Sequence, residues 1–147
     1  MSDTYALSVK QPWAALIVAG VKLVEVRTWG TRRRGRVLIH AGRLPDERPE
    51  AWAHVNTPEL TAAAEQRGGI VGEAELVGCR TYETAEAFAD DAGRHLNDPG
   101  WFRPPRLYGF EFRAARPLPF RRVTGFTMFF RVPDCTDESP GTAVPGL

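Results

Sequence analysis

The chain contains little cysteine and no long apolar run. Its two cysteines, Cys79 and Cys135, are far apart in the sequence, which argues against a disulfide framework and against a zinc site. No apolar stretch approaches the roughly 20 residues that span a bilayer, and the N-terminus lacks a signal pattern. We therefore predict a cytoplasmic protein that associates with no membrane and requires no metal or other cofactor.

Several catalytic motifs are also absent. The sequence contains no Gly-x-Ser-x-Gly element, no phosphate-binding glycine loop with its lysine, and no paired Cys-x-x-Cys or His-x-x-x-His. Serine occurs only at positions 2, 8 and 139. These absences disfavour serine-nucleophile chemistry and metal-dependent hydrolysis.

Length and composition indicate one globular domain. The 147 residues, 43% hydrophobic and 25% charged, are enough for a substantial core. The segment from Asp134 to Leu147 holds three acidic residues and no basic one, and it lacks a periodic apolar pattern. Such a composition is typical of disorder. We predict a domain over residues 1–133 and a disordered C-terminal tail over residues 134–147.

Hydrophobic periodicity predicts alternating strands and helices. Strands are predicted at 5–9, from just after Gly20 to Trp29, and at 36–41, 70–81, 108–113 and 124–132. Helices are predicted from Pro12 to Gly20, within 43–68 and over 85–96, with an irregular connection around Pro117 and Pro119.

Charged residues are concentrated at the second predicted strand, where Lys22, Glu25 and Arg27 follow one another within six positions. In a two-residue repeat, Glu25 and Arg27 share one face and Val24 and Val26 the other. Lys22 has the opposite parity, so it joins Glu25 only if the chain kinks where the strand begins. The alternative is a solvated strand face with a weak ion pair.

Two further basic features accompany this strand. Lys10 lies at the start of the first predicted helix, where unpaired backbone N–H groups attract anions. The loop residues Arg32, Arg33 and Arg34 are bounded by glycines and suit phosphate contact. A solvated surface is the alternative for both, because 17 of the 19 basic residues of this chain are arginine and lysine occurs only at positions 10 and 22.

The chain resembles the ASCH domain family, whose signature is Gly-x-Lys-x-x-Glu-x-Arg. That signature is matched from Gly20 to Arg27, after the run Ala-Leu-Ser-Val-Lys-Gln-Pro-Trp-Ala of residues 6–14. Further matches are His40-Ala41, Gly69-Ile70-Val71-Gly72 and Tyr108-Gly109. The resemblance covers most of residues 5–132 and implies an α+β, PUA-like fold, a small mixed β-barrel with flanking helices.

For function, the resemblance implies that a cleft beside the signature binds RNA or a modified nucleotide, with single-stranded DNA as an alternative ligand. Lysine and arginine would contact phosphate or a base edge, while tryptophan and histidine side chains would wall the cleft and stack on a base. A structural histidine is the alternative for His40. The predicted nucleic-acid-binding residues are Lys10, Gln11, Trp13, Lys22, Glu25, Arg27, Trp29, Arg32, Arg33, Arg34 and His40.

The family also includes a small acetylcytidine amidohydrolase and members that cleave RNA. The amidohydrolase pattern uses the signature lysine, a threonine three residues later and a glutamate elsewhere. Lys22 matches, but Glu25 occupies the threonine position. A hydrolase would use Lys22 with a lowered pKa and Glu25 as general acid/base. A third reading is a protein-interaction module: an enzyme site should be concave and exclude water from Lys22, whereas a docking surface should be flat and apolar.

Overall fold

Six strands form one mixed sheet in the computed structural model, which describes residues 4–133. The strands are β1 (Thr4–Val9), β2 (Val24–Arg27), β3 (Gly35–Ala41), β4 (Gly69–Tyr82), β5 (Leu107–Arg122) and β6 (Phe129–Val132). Their order in the sheet is β2-β5-β4-β3-β1-β6. Only the β1–β3 pair is parallel among these described strands. The predicted tail, with Cys135, lies outside the described residues.

Within residues 4–133, five short α-helices and one 3-10 turn flank the sheet. They are α1 (Trp13–Val18), α2 (Pro49–Trp52), α3 (Pro58–Ala64), α4 (Ala85–Asp90) and α5 (Ala92–His95), with the 3-10 turn at Pro99–Trp101. All six residues of α1 are buried, which makes it the helix of the core. None of the helices within residues 4–133 is long and apolar enough to cross a membrane.

The sheet curls until its two outer strands approach each other. Trp29, just after β2, packs edge-on against Phe129 of β6, with ring centroids 5.7 Å apart. Phe110 of β5 contacts both rings, at 5.1 Å from Trp29 and 5.9 Å from Phe129. Because β2 and β6 are the two edge strands of the sheet, these contacts show that the sheet curves into a half-barrel. The predicted α+β class is confirmed.

Two boundaries near the C-terminal end differ from the prediction. The strand predicted over 124–132 is wrong in its first half, since β6 begins only at Phe129. Met128 adopts a φ of 61°, a left-handed conformation that a continuous strand excludes. The irregular connection predicted around Pro117 and Pro119 is also wrong. Strand β5 runs through both prolines, and register shifts in its pairing with β4 accommodate them.

The helix predicted over 85–96 is interrupted at Asp91, which has a φ of −101° and separates α4 from α5. Its carboxylate accepts from Arg94 Nε at 2.8 Å and from the Tyr82 hydroxyl. The break turns the chain so that α5 lies against the segment preceding β2.

Candidate functional site

A cleft of about 640 Å3 lies beside β1, β2 and the end of β3. It is concave and is closed on one side by the loop 124–128, which connects β5 to β6. Its lining residues are Ser8, Lys10, Trp13, Lys22, Glu25, Val26, Arg27, Trp29, His40, Gly42, Arg43, Asp46, Arg48, Asn97 and Thr124 to Met128.

Lys22 lies at the bottom of this cleft with 1% of its surface exposed. Its ammonium donates to the His95 carbonyl oxygen and to Asn97 Oδ1, the latter at 3.1 Å, and lies 3.7 Å from Glu25 Oε1. The face of Trp13 is 4.4 Å away, which adds a cation–π contact. Burial lowers the pKa of Lys22 to about 8, although the Glu25 carboxylate opposes that shift. A lysine confined in this way acts as a fixed donor.

The chain reaches this arrangement by the kink that the parity of Lys22 requires. The backbone N–H groups of Val21 and Lys22 both donate to Leu16 O at 3.0 Å, which folds the chain back over the end of α1. Leu23 N then donates to Arg94 O at 2.9 Å, and β2 begins only at Val24. Lys22 therefore precedes the strand.

Glu25 lies between the two signature cations. Arg27 Nε donates to Glu25 Oε2 at 3.1 Å, and Arg27 Nη2 donates to the backbone oxygen of Ser8 at 2.7 Å. Because the other carboxylate oxygen faces Lys22, the three charges form one connected row. This row places donors on either side of a single acceptor.

Ser8 and His40 form a second polar pair in the cleft. They are register partners in the parallel β1–β3 pair, and Ser8 Oγ is 3.0 Å from His40 Nδ1. His40 Nε2 lies 2.6 Å from Val123 O. A carbonyl oxygen only accepts, so Nε2 carries the hydrogen and Nδ1 accepts from the serine hydroxyl. Burial lowers the pKa of His40, against the effect of its bond to Val123.

Asp46 fixes the tryptophan wall of the cleft. Trp13 Nε1 donates to Asp46 Oδ2 at 2.8 Å, and the Arg48 guanidinium donates to both carboxylate oxygens, at 3.0 and 2.6 Å. Burial disfavours the Asp46 carboxylate, but its bonds from Arg48 and Trp13 outweigh that effect and hold the pKa of Asp46 well below its usual range. The edge of Trp13 bonds to Asp46 and its face contacts Lys22, so these two residues fix the position of the ring.

The mouth of the cleft is basic and partly apolar. The lining of the whole cleft includes five cationic and two anionic side chains, a net formal charge of +3. Lys10 and Arg43 are exposed and form no ion pair with another residue of the range 4–133. Phe126 is 63% exposed and Met128 50% exposed on the loop 124–128.

The structure brings together most of the residues predicted from the sequence. The ones that line the cleft are Lys10, Trp13, Lys22, Glu25, Arg27, Trp29 and His40. Gln11 does not line it. Gln11 is fully buried, its amide donates to Ala63 O and Gln66 O at 3.0 and 2.9 Å, and its oxygen accepts from Ala15 N. It joins α1 to α3.

The three loop arginines, Arg32, Arg33 and Arg34, line a separate and more open groove. The Arg33 guanidinium stacks 3.8 Å from the ring centroid of Tyr5, and Arg34 Nη1 donates to the backbone oxygens of Thr31 and Arg33 at 3.2 and 2.8 Å. Trp29 and Met128 line both the groove and the cleft. The groove therefore adjoins the cleft without being part of it.

Other cleft residues were not predicted from the sequence, namely Ser8, Val26, Gly42, Arg43, Asp46, Arg48, Asn97 and the loop 124–128. Val26 lies within the signature, but the two-residue repeat predicts it on the face opposite Glu25 and Arg27. Ser8 had a signal, since it lies inside the run of residues 6–14 that carries the resemblance. The others are brought in by tertiary folding and follow no local pattern. Within residues 4–133, no group of three or more His, Cys, Asp or Glu side chains is arranged to hold a metal ion.

A family model and two relatives match parts of this sequence. The ASCH domain family model matches residues 7–119. Activating signal cointegrator 1 of Homo sapiens is 57% identical over 37 residues, which are 25% of this chain and 6% of that protein. The Mus musculus protein of the same name is 52% identical over 42 residues, 28% of this chain and 7% of that protein. The chain therefore matches less than a tenth of the length of either relative.

Solved structures are similar in fold. ASCH from Zymomonas mobilis superposes with a TM-score of 0.54 and 18% identity, covering 82% of this chain and 73% of that one. A single-substitution mutant of the same protein gives a TM-score of 0.57 and 17% identity, covering 81% and 73%. At such low identity the likeness establishes the fold alone, and it confirms the predicted PUA-like architecture.

Proposed function

The chain belongs to the ASCH domain family, and we propose that its cleft binds RNA or a modified nucleotide, with one base held at the bottom. The observation that carries this proposal is the row of Lys22, Glu25 and Arg27. It offers donors and an acceptor in a nearly dry position, below a mouth whose charge attracts phosphate.

The polar row suits the edge of a nucleobase. Unstacked bases present donors and acceptors side by side on their Watson–Crick edges, and proteins read single-stranded nucleic acid through those edges. Glu25 accepts from an amino group of the base, while Lys22 and Arg27 donate to its ring nitrogen or carbonyl oxygen. Because the three side chains are already held by one another, little conformational entropy is lost on binding.

The mouth of the cleft supplies the other contacts of a nucleotide. Lys10 and Arg43 are exposed and available for phosphate, and the ring of Phe126 is available for stacking. The volume of about 640 Å3 lies within the roughly 300–1,000 Å3 typical of small-ligand sites. A site of this size accommodates one nucleotide, and neighbouring nucleotides extend outside it.

Fluorescence anisotropy with a labelled single-stranded RNA octamer tests the proposal. The double variant Lys10→Ala/Arg43→Ala should bind more weakly, and the slope of log K against log salt should flatten by roughly 0.7 for each phosphate that is no longer neutralised. The matched control is Arg103→Ala/Arg106→Ala, which removes two exposed cations that do not line the cleft. No RNA binding by the wild type at low salt, or equal losses in the two double variants, would reject the proposal. A DNA octamer of the same sequence measures the contribution of the 2′-hydroxyl.

A hydrolase is the second candidate, and one observation favours it. Lys22 has a pKa of about 8, so a measurable fraction is a neutral amine near neutral pH, beside the Glu25 carboxylate. The cleft is concave and excludes water from Lys22, as expected of an enzyme rather than of a flat docking surface. The two candidates separate in a turnover assay. Acetate released from acetylated cytidine, or RNA fragments, formed by the wild type and not by Lys22→Ala, would establish the hydrolase.

A further inference from the structure

The cleft contains a serine and a histidine that the nucleic-acid proposal does not use. The sequence disfavours serine-nucleophile chemistry because it has no Gly-x-Ser-x-Gly element, but the contact between these two side chains is made by tertiary folding and needs no such element. We infer that Ser8 is a nucleophile activated by His40 and directed at carboxylic esters. The reacting pair, Ser8 and His40, takes no part in the proposed nucleic-acid contacts, although Arg27 serves both, so labelling of Ser8 by a small electrophile tests this inference separately from RNA binding.

The pair has the arrangement of an activated nucleophile. Ser8 Oγ is 3.0 Å from His40 Nδ1, the nitrogen that accepts, and His40 Nε2 donates to Val123 O at 2.6 Å. A nucleophile in hydrogen-bond contact with a base, itself oriented by a third group, is the pattern of covalent catalysis. Here a backbone carbonyl of the strand-to-loop connection takes the orienting role.

The imidazole is also locked in place. It is 2% exposed, packs edge-on against Phe130 at 5.5 Å, and is covered by Gly125. A Cβ at Gly125 would lie 2.4 Å from His40 Cε1, so no larger residue fits while the ring keeps this position. Ser8, in contrast, is half-buried and lines the cleft, so its hydroxyl is open to a ligand.

A cation contacts the backbone of Ser8 and lines the same cleft. Arg27 Nη2 donates to the backbone oxygen of Ser8 at 2.7 Å, which brings the guanidinium next to the same residue. The negative charge that develops on a carbonyl oxygen during attack is stabilised by a preorganised donor of this kind. Glu25 orients Arg27 from the other side through the 3.1 Å bond to Nε.

The inferred reaction transfers the acyl group of the ester first to Ser8 and then to water. Ser8 Oγ forms a bond to the ester carbonyl carbon while its proton passes to His40 Nδ1. The C–O bond to the alkoxide then breaks, and the alkoxide leaves with that proton. Water attacks the acyl group on Ser8, giving its proton to His40. The acid is released as the ester C–O bond to Ser8 breaks, and the proton on His40 returns to Ser8 Oγ.

A fluorophosphonate probe and mass spectrometry of the full-length chain test the inference. Attack forms a P–O bond at Ser8, breaks the P–F bond and releases fluoride, and the serine proton goes to His40. The chain has only two other serines, Ser2 and Ser139, which provide an internal comparison. Modification at Ser8 should be much faster than at either of them and should be lost in Ser8→Ala.

The variant His40→Gln retains an N–H for Val123 O but has no base at the Nδ1 position. It should slow modification of Ser8 by about 100-fold or more, the usual contribution of general-base catalysis. Circular dichroism and thermal unfolding establish that the variant is folded. Two results would overturn the inference: Ser8 of the wild type reacting no faster than Ser2 and Ser139, or Ser8 reacting equally fast in a folded His40→Gln protein.

Discussion

The bottom of the cleft and the arginine loop are both basic and close in sequence, yet their charged groups differ in burial and in hydrogen-bond partners. Lys22 is buried, with acceptors on several sides and an aromatic face beneath it. Arg32 and Arg34 of the loop are exposed, and Arg34 bonds only to carbonyl oxygens of its own loop among the described residues.

This difference separates two roles for positive charge. A buried cation that is held in place by its own acceptors discriminates between ligands, because it donates only to an acceptor that the ligand places within hydrogen-bond distance and direction. An exposed cation attracts phosphate whatever the sequence of the nucleic acid, and salt screens that attraction. The number of basic residues does not distinguish the two regions. The burial of Lys22 and its hydrogen bonds indicate that the cleft, rather than the loop, selects the ligand.

The largest expected effect is on the pH dependence of stability. Lys22 has a pKa of about 8 in the folded protein against its usual value of 10.5. Between these values the unfolded state binds more protons, so the free energy of unfolding should rise with pH, by an amount on the order of 3 kcal/mol from this lysine. Urea unfolding of the wild type and of Lys22→Met from pH 7 to 10 isolates the effect. A difference between the two proteins that does not change with pH would contradict the account.

The two lysines of the chain form a matched pair for binding. Lys22→Met should weaken binding of the RNA octamer by about 10- to 100-fold, because a hydrogen bond to a charged group is worth about 1.5–3 kcal/mol. Lys10→Met should weaken binding less, and its effect should fade as salt is raised. If both variants lose the same affinity, and lose it with the same salt dependence, the distinction between the two roles is wrong.

Asn97 tests whether the position of Lys22 depends on its acceptors. Asn97→Ala removes the oxygen 3.1 Å from the ammonium, so the free energy of unfolding should fall by about 1–3 kcal/mol and the pKa of Lys22 should fall further. Asn56→Ala, at an exposed position, is the control and should stay within about 0.5 kcal/mol of the wild type. Equal stability of the two variants would show that Asn97 does not hold the lysine.

The arginine loop is expected to give the smallest effect. Replacing Arg32, Arg33 and Arg34 together with Ala should flatten the salt dependence of RNA binding by at most roughly 0.7 for each arginine that binds a phosphate. Preference among octamers of different sequence should stay unchanged. A change in sequence preference would show that the loop, rather than the cleft, recognises the bases. An unchanged slope would show that the loop is a solvated surface that binds no phosphate.

Much of the architecture was predictable because short-range patterns determine it. The apolar spacing of α1 and the alternation in β3 are strong periodic signals, and both elements occur where they are predicted. The segment 124–128 shows why such patterns fail. Thr124, Phe126 and Met128 alternate like a strand, but Gly125 is pressed against His40 and the chain turns at Met128.

The candidate site was predictable only in part. The sequence identifies Lys22, Glu25 and Arg27 as a unit, since their spacing is local. The acceptors that bury Lys22, at His95 and Asn97, come from 73 and 75 residues further along the chain. No periodic pattern encodes that meeting, which depends on the break between α4 and α5. The burial of the lysine, and with it the chemistry, is a tertiary property.

The proposed role of the cleft depends most directly on the state of Lys22, a buried lysine with a lowered pKa. Because Lys10 and Lys22 are the only lysines, protein grown with lysine carrying carbon-13 at the ε position gives two signals, and Lys22→Met assigns them. An NMR titration from pH 6 to 11 follows each amine directly. The Lys22 signal should titrate with a pKa of about 8. A Lys22 signal that titrates near its usual value of 10.5 would contradict this prediction.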